Sequence, residues 1–82
     1  MWFVYIIRSL IRRWYYVGST NRLIKRFHEH NKGLVKSTKH YKPFKLVFTK
    51  KFDSEHEARE YEKKLKMCRK EKEKIIKNIE EK

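Results

Sequence analysis

The sequence predicts an α+β fold, a small three-stranded antiparallel sheet flanked by helices in the order β-β-α-β-α-α. Three observations carry that expectation. Two runs rich in aromatic and β-branched side chains, Trp2–Ile7 and Trp14–Ser19, are joined by a connection too short for a crossover, so they pair antiparallel. A third such run, Lys45–Phe52, follows the only proline. Elsewhere apolar residues recur at helical spacing. The 82 residues make one domain, 1–82, whose core is expected to end near residue 76, with a tail over 77–82 that frays.

The first run shows no alternation with polar residues, which is how a strand covered on both faces reads. Ser9–Arg13 is a basic connection to the second strand. Thr20 or Asn21 is expected to cap a helix running to about Lys32, with Gly33 as its stop and Leu23, Ile24, Phe27 and Leu34 as its apolar stripe. Leu34–Pro43 has no apolar period and reads as a basic loop. After the third strand, Asp53 or Ser54 caps a second helix in which Ala58, Tyr61, Leu65 and Cys68 share a face. From Arg69 onward, Ile75, Ile76 and Ile79 lie on one side of a third helix otherwise made of Lys and Glu.

Composition narrows the partner. There are 23 Lys and Arg against 10 Asp and Glu, a formal charge of +13. A small domain needs only about 2–8 net charges to stay in solution. The excess attracts polyanions through Coulomb steering and counterion release. A nucleic acid is the expected partner, and an anionic membrane surface is the rival. Lys36, Lys39 and Lys42 of the loop, with Arg22, Lys66 and Arg69, are the cations expected to meet phosphates. The longest apolar run falls far short of the roughly 18 residues a membrane span needs. The single Cys68 excludes an internal disulfide, and no secretory pattern is present, so a reducing compartment, the cytoplasm, is expected.

Several side chains could carry chemistry. On a helix each residue turns about 100°, which sets Arg26 and His30 one turn apart at the margin of the stripe. Glu62 falls close to Ala58 on the second helix. Tyr5 shares a strand face with Phe3 and Ile7, and Tyr16 shares one with Trp14 and Gly18, where the missing side chain leaves room for a ligand to approach. Each has an ordinary reading on its own. Arg26 is then a surface cation over its own stem, Glu62 an ion pair with Lys66, and the tyrosines core residues.

Taken together the residues form a pattern. Val4-Tyr5-Ile6 followed by Tyr16-Val17-Gly18 resembles the two-part signature of the GIY-YIG nuclease superfamily, with Val where that name has Gly. Arg26-Phe27-His28-Glu29-His30-Asn31-Lys32-Gly33 is similar to its Arg-x-x-x-His-Asn-x-Gly helix. The stretch from Ser54 through Glu57, Ala58 and Glu62 to Leu65-Lys66 resembles its metal-binding helix. The likeness is closest to a small stand-alone branch related to structure-specific Slx1-type nucleases. It implies a metal-dependent endonuclease acting on DNA ahead of RNA, working as a monomer, with a role in DNA repair. Tyr5 and Tyr16 match the motif tyrosines, one of which helps deprotonate the attacking water. Gly18 keeps the surface open. Arg26 matches the arginine that neutralises the phosphate, and His30 a histidine that orients or assists a tyrosine. Glu62 matches the one carboxylate that holds Mg²⁺ or Mn²⁺. Met67-Cys68 stands where relatives carry an aromatic, and Asn78 is a poor match to a late asparagine of the site.

The alternative is a nucleic-acid-binding module on the same fold without strong catalysis. A zinc site is disfavoured because His28 and His30, two apart, diverge on a helix and no Cys-x-x-Cys pair exists. Cys68 is expected to pack in the core rather than act as a nucleophile, and Arg69–Lys74 to be a solvated helix face.

Overall fold

The structure, a computed structural model, describes residues 1–81. Its elements are β1 (Trp2–Ser9), β2 (Tyr15–Thr20), α1 (Leu23–Asn31), β3 (Phe44–Phe52), α2 (Glu55–Met67) and α3 (Arg69–Glu80), with one 3₁₀ turn at Lys39–Tyr41. The sheet is antiparallel throughout in the order β2-β1-β3. This is the α+β architecture that the sequence predicts.

β1 lies in the middle, and its unbroken apolar run follows from that place. Val4, Tyr5, Ile6 and Ile7 are all at most 1% exposed. On one face Tyr5, Ile7 and Phe44 pack with Trp14, Tyr16, Leu23 and Phe27. On the other, Val4, Ile6 and Val17 pack with Ala58 and Leu65 of α2 and with Ile75 of α3. The register of β3 shifts between Ile6↔Phe48 and Ile7↔Leu46, leaving Val47 as the extra residue of a bulge.

α1 differs from expectation at both ends of its stripe. Arg22, not Thr20 or Asn21, holds the N-cap position and makes no side-chain cap. The Thr20 hydroxyl instead accepts the Arg22 N–H at 3.0 Å, two residues on, so it is spent on the turn before the helix. Ile24 and Leu34 are 64% and 69% exposed, while the buried line runs Leu23, Phe27, His30. His30 is therefore fully buried, not marginal. Leu34 leaves the line because Gly33, at φ +78°, turns the chain out of the helix. The Gly33 N–H donates to His30 O and the Leu34 N–H to Glu29 O, closing the C-terminus.

The basic loop 34–43 is fastened rather than free. Val35 and Thr38 are buried, and Tyr41 stacks on Trp14 with ring centres 4.0 Å apart. Ser9 Oγ donates to Tyr41 O at 2.6 Å and accepts from the Ile11 and Arg12 N–H groups, which ties the β1–β2 connection to the loop. Asn31, at the end of α1, caps the start of β3: Oδ1 accepts the Phe44 N–H at 2.6 Å.

At α2 the Ser54 side chain accepts the Glu57 N–H, so Ser54 rather than Asp53 is the cap. Cys68 does not continue the stripe of α2. Its extended backbone (φ −101°, ψ 93°) breaks the chain into α2 and α3, and its side chain is half-buried. Beyond residue 76 the helix continues to Glu80, whose carboxylate accepts from the Arg13 guanidinium and, at 2.6 Å, from the Tyr15 hydroxyl. Lys82, the end of the stretch expected to fray, lies outside the described residues.

Candidate active site

The site is built on the β1–β2 face beneath α1. Antiparallel pairing sets Tyr5 opposite Gly18 and Ile7 opposite Tyr16, so all four point to one side. A Cβ on Gly18 would lie 2.5 Å from the Tyr5 hydroxyl and 3.1 Å from the Tyr16 ring. The expectation that Gly18 leaves room for a ligand is corrected here: the Tyr5 phenol fills that room. Tyr16 is half-buried, its ring centre 6.4 Å from that of Tyr5 and 5.2 Å from that of His30.

α1 delivers His30 onto the phenol. Nε2 of His30 is 2.9 Å from the Tyr5 hydroxyl, and Nδ1 is 2.8 Å from Thr38 Oγ1. Burial, reinforced by the positive charge of Arg26, pushes the His30 pKa down to about 4, with Glu29 opposing. Burial, with Tyr16 adding to it, pushes Tyr5 up to about 12, against the pull of Arg26. At neutral pH the pair is thus a neutral imidazole and an intact phenol.

Arg26 lies one turn before His30, half-exposed at the mouth of the site. Its guanidinium pairs with Glu29 Oε1 at 3.2 Å. Glu62 comes from α2, which packs on the opposite face against Val4, Ile6 and Val17, and its carboxylate lies against the edge strand β2 on that side, the side that Ser19 shares with Val4. There it accepts the Ser19 hydroxyl and pairs with Lys66 Nζ at 2.7 Å. The same ammonium stands 5.6 Å from the centre of the Tyr16 ring. The structure therefore gathers Tyr5, Tyr16, Gly18, Arg26 and His30 on one face, with Glu62 at the β2 rim of the sheet, on the side of α2.

No group of three or more His, Cys, Asp or Glu able to hold a metal ion occurs among the described residues. The donors at the rim are one carboxylate and one hydroxyl. That set suits a hard divalent cation that keeps most of its waters, provided Lys66 gives up its carboxylate oxygen. It does not suit zinc, which takes three or four protein ligands.

Of the remaining cations, Arg22, Lys36, Lys39, Lys42, Lys66 and Arg69 are all exposed. Lys36 and Lys39 lie two residues before and one after the buried Thr38, and Lys42 folds back so that a Cβ on Gly33 would lie 3.1 Å from its Nζ. Asn78 is away from the site, lining a groove with Val47, Phe48, Ile75 and Ile79 on the opposite sheet face. Three contacting residues escape sequence reasoning. Glu29 had a usable signal, its i, i+3 spacing from Arg26. Ser19 had only its place next to Gly18, and Thr38 had none.

Residues 1–78 match the family model of the GIY-YIG catalytic domain. The chain belongs to the GIY-YIG family. No curated protein and no solved structure matches it significantly. GIY-YIG domains are nuclease-type endonuclease domains, which makes a nucleic acid the substrate class, in keeping with the charge of +13. None of the described helices is long and apolar enough to cross a membrane.

Proposed function

We propose that this GIY-YIG domain is a metal-dependent endonuclease that hydrolyses phosphodiester bonds in DNA. The observation that carries the reading is the 2.9 Å hydrogen bond between a protonated Tyr5 and a neutral His30. A phenol held near pKa 12 is not itself a base at neutral pH. It can still take a proton from water if it passes its own to His30 Nε2. Water then supplies the hydroxide oxygen that bonds to phosphorus, the P–O bond to the leaving sugar oxygen breaks, that oxygen takes a proton from solvent, and His30 gives its own back to solvent through Tyr5. His30 is a weak acceptor while Arg26 repels its positive form. An incoming phosphodiester neutralises Arg26 and strengthens that acceptor, so the relay is set by substrate binding. Arg26 also balances the charge that develops on the phosphate.

Glu62, with Ser19 behind it, is the residue to hold Mg²⁺ or Mn²⁺ once Lys66 turns away. When bound, such an ion would add its positive charge to that of Arg26 in stabilising the charge that develops on the phosphate. The choice of DNA over RNA, recognition of shape (nicks, flaps, branches) over sequence, action as a cytoplasmic monomer and service in DNA repair rest on the resemblance to the stand-alone, structure-specific branch. A second reading, a binding module with weak catalysis, is favoured by the closed Glu62–Lys66 pair.

A labelled panel of single-stranded, duplex, flap and branched DNA, with Mg²⁺, Mn²⁺ or EDTA, separates the two. The endonuclease reading expects metal-dependent cutting that Glu62→Ala and Arg26→Ala both abolish. Binding without cutting, unchanged in the variants, would establish the binding module.

A further inference from the structure

We infer that Thr38 is a positioning residue that fixes the tautomer of His30, keeping its proton on Nδ1 and turning the Nε2 lone pair to the Tyr5 hydroxyl. Its catalytic consequence rests on the endonuclease reading; the tautomer itself does not.

Thr38 is 0% exposed, yet Ser37 and Lys39 on either side of it are exposed. A polar residue buried in a basic loop has a partner to serve. Its backbone N–H donates to Val35 O at 3.1 Å, and its hydroxyl donates to the same carbonyl at 3.4 Å. A hydroxyl has one proton. With that proton turned to Val35, Oγ1 offers His30 only lone pairs, and it does so 2.8 Å from Nδ1. Nδ1 must then carry the hydrogen. A neutral imidazole has a single N–H, and burial keeps His30 neutral, so Nε2 is bare and accepts from Tyr5 at 2.9 Å. The opposite tautomer would turn the Thr38 proton away from Val35 and leave the buried Tyr5 proton to find another acceptor. The assignment follows from the hydrogen-bond network as a whole.

This direction matters to the relay. With Nε2 bare, Tyr5 donates inward and keeps its oxygen lone pairs for a proton arriving from outside. With the hydrogen on Nε2, Tyr5 has nowhere to send its own.

The test uses the full chain labelled with ¹⁵N at neutral pH, reading the His30 ring nitrogens by long-range proton–nitrogen correlation. Wild type and Thr38→Ser are expected to show a protonated Nδ1 and a bare Nε2. Thr38→Val, which keeps the shape and loses both hydrogen-bonding roles, is expected to lose that pattern. A protonated Nε2 in the wild type, or an unchanged pattern in Thr38→Val, overturns the inference. Should Thr38→Val fail to fold, Thr38→Ala is read by the same criteria. In cleavage, Thr38→Val is expected to lower kcat by about 10- to 100-fold with KM unchanged, and Thr38→Ser to restore it. A loss in KM alone, or one that Ser does not rescue, overturns the positioning role. A wild type that cuts nothing overturns the endonuclease reading, and the spectrum still decides the tautomer.

Discussion

One carbon at residue 18 separates two arrangements of the site. Gly18→Ala sets a methyl 2.5 Å from the Tyr5 hydroxyl, inside contact distance, so the phenol must swing away from His30. Such overpacking costs about 1–3 kcal/mol. Urea unfolding is expected to show that loss, and cleavage to fall with it; a variant as stable and active as wild type would mean that the phenol is not held there. His30 adds a pH dependence whose sign is fixed. Its pKa is about 4 folded and about 6.5 unfolded. The unfolded chain binds the extra proton between those values, so His30 lowers stability as pH falls from about 6.5 to about 4, by up to about 3 kcal/mol. Thermal melts of wild type against His30→Gln should converge toward acid pH; parallel curves would place a charged imidazole in the folded state.

Element by element, what is legible in the chain is what local chemistry decides. β1 reads as a doubly covered strand because its side chains do not alternate, and it is the central strand. Gly33 reads as a stop because only glycine takes φ +78° without strain. The tyrosines, Gly18, Arg26 and His30 are legible as a pattern, and the fold brings them together. What is not legible is set by contacts distant in sequence. Thr20 has a capping side chain but spends it on the preceding turn. His30 and not Leu34 completes the buried line, because the helix stops short of Leu34. Thr38 is buried by a loop that Trp14 and Ser9 fasten from the hairpin. Cys68 carries no local signal for a helix break. The end of α3 depends on Arg13 and Tyr15, more than 60 residues away. Glu80→Ala is therefore expected to speed amide exchange in the last turn of α3 while barely moving Tm, because these groups are solvent-exposed. A global loss of protection would show that the pairing holds more than that turn.

For the molecule as a whole, two features decide behaviour: the net charge of +13 and the one-carboxylate rim. If the six cations named for phosphate contact all engage, Kd for duplex DNA weakens about 10³-fold between 50 and 200 mM salt. A nearly flat salt dependence would remove electrostatics as the main source of affinity. Lys66 holds Glu62 at 2.7 Å and competes with any divalent ion there. Lys66→Ala is expected to lower the Mn²⁺ concentration giving half-maximal cleavage, and an unchanged requirement would place the ion elsewhere. Proton transfer by the Tyr5–His30 pair in a metal-dependent cut has one most direct measurement. It is the single-turnover cleavage rate of a branched DNA by wild type and by Tyr5→Phe, with Mn²⁺ and with EDTA. Wild type is expected to cleave with Mn²⁺ and not with EDTA, and Tyr5→Phe to lose about 100-fold or more with substrate binding intact. Cleavage by Tyr5→Phe at the wild-type rate would contradict proton transfer by the pair.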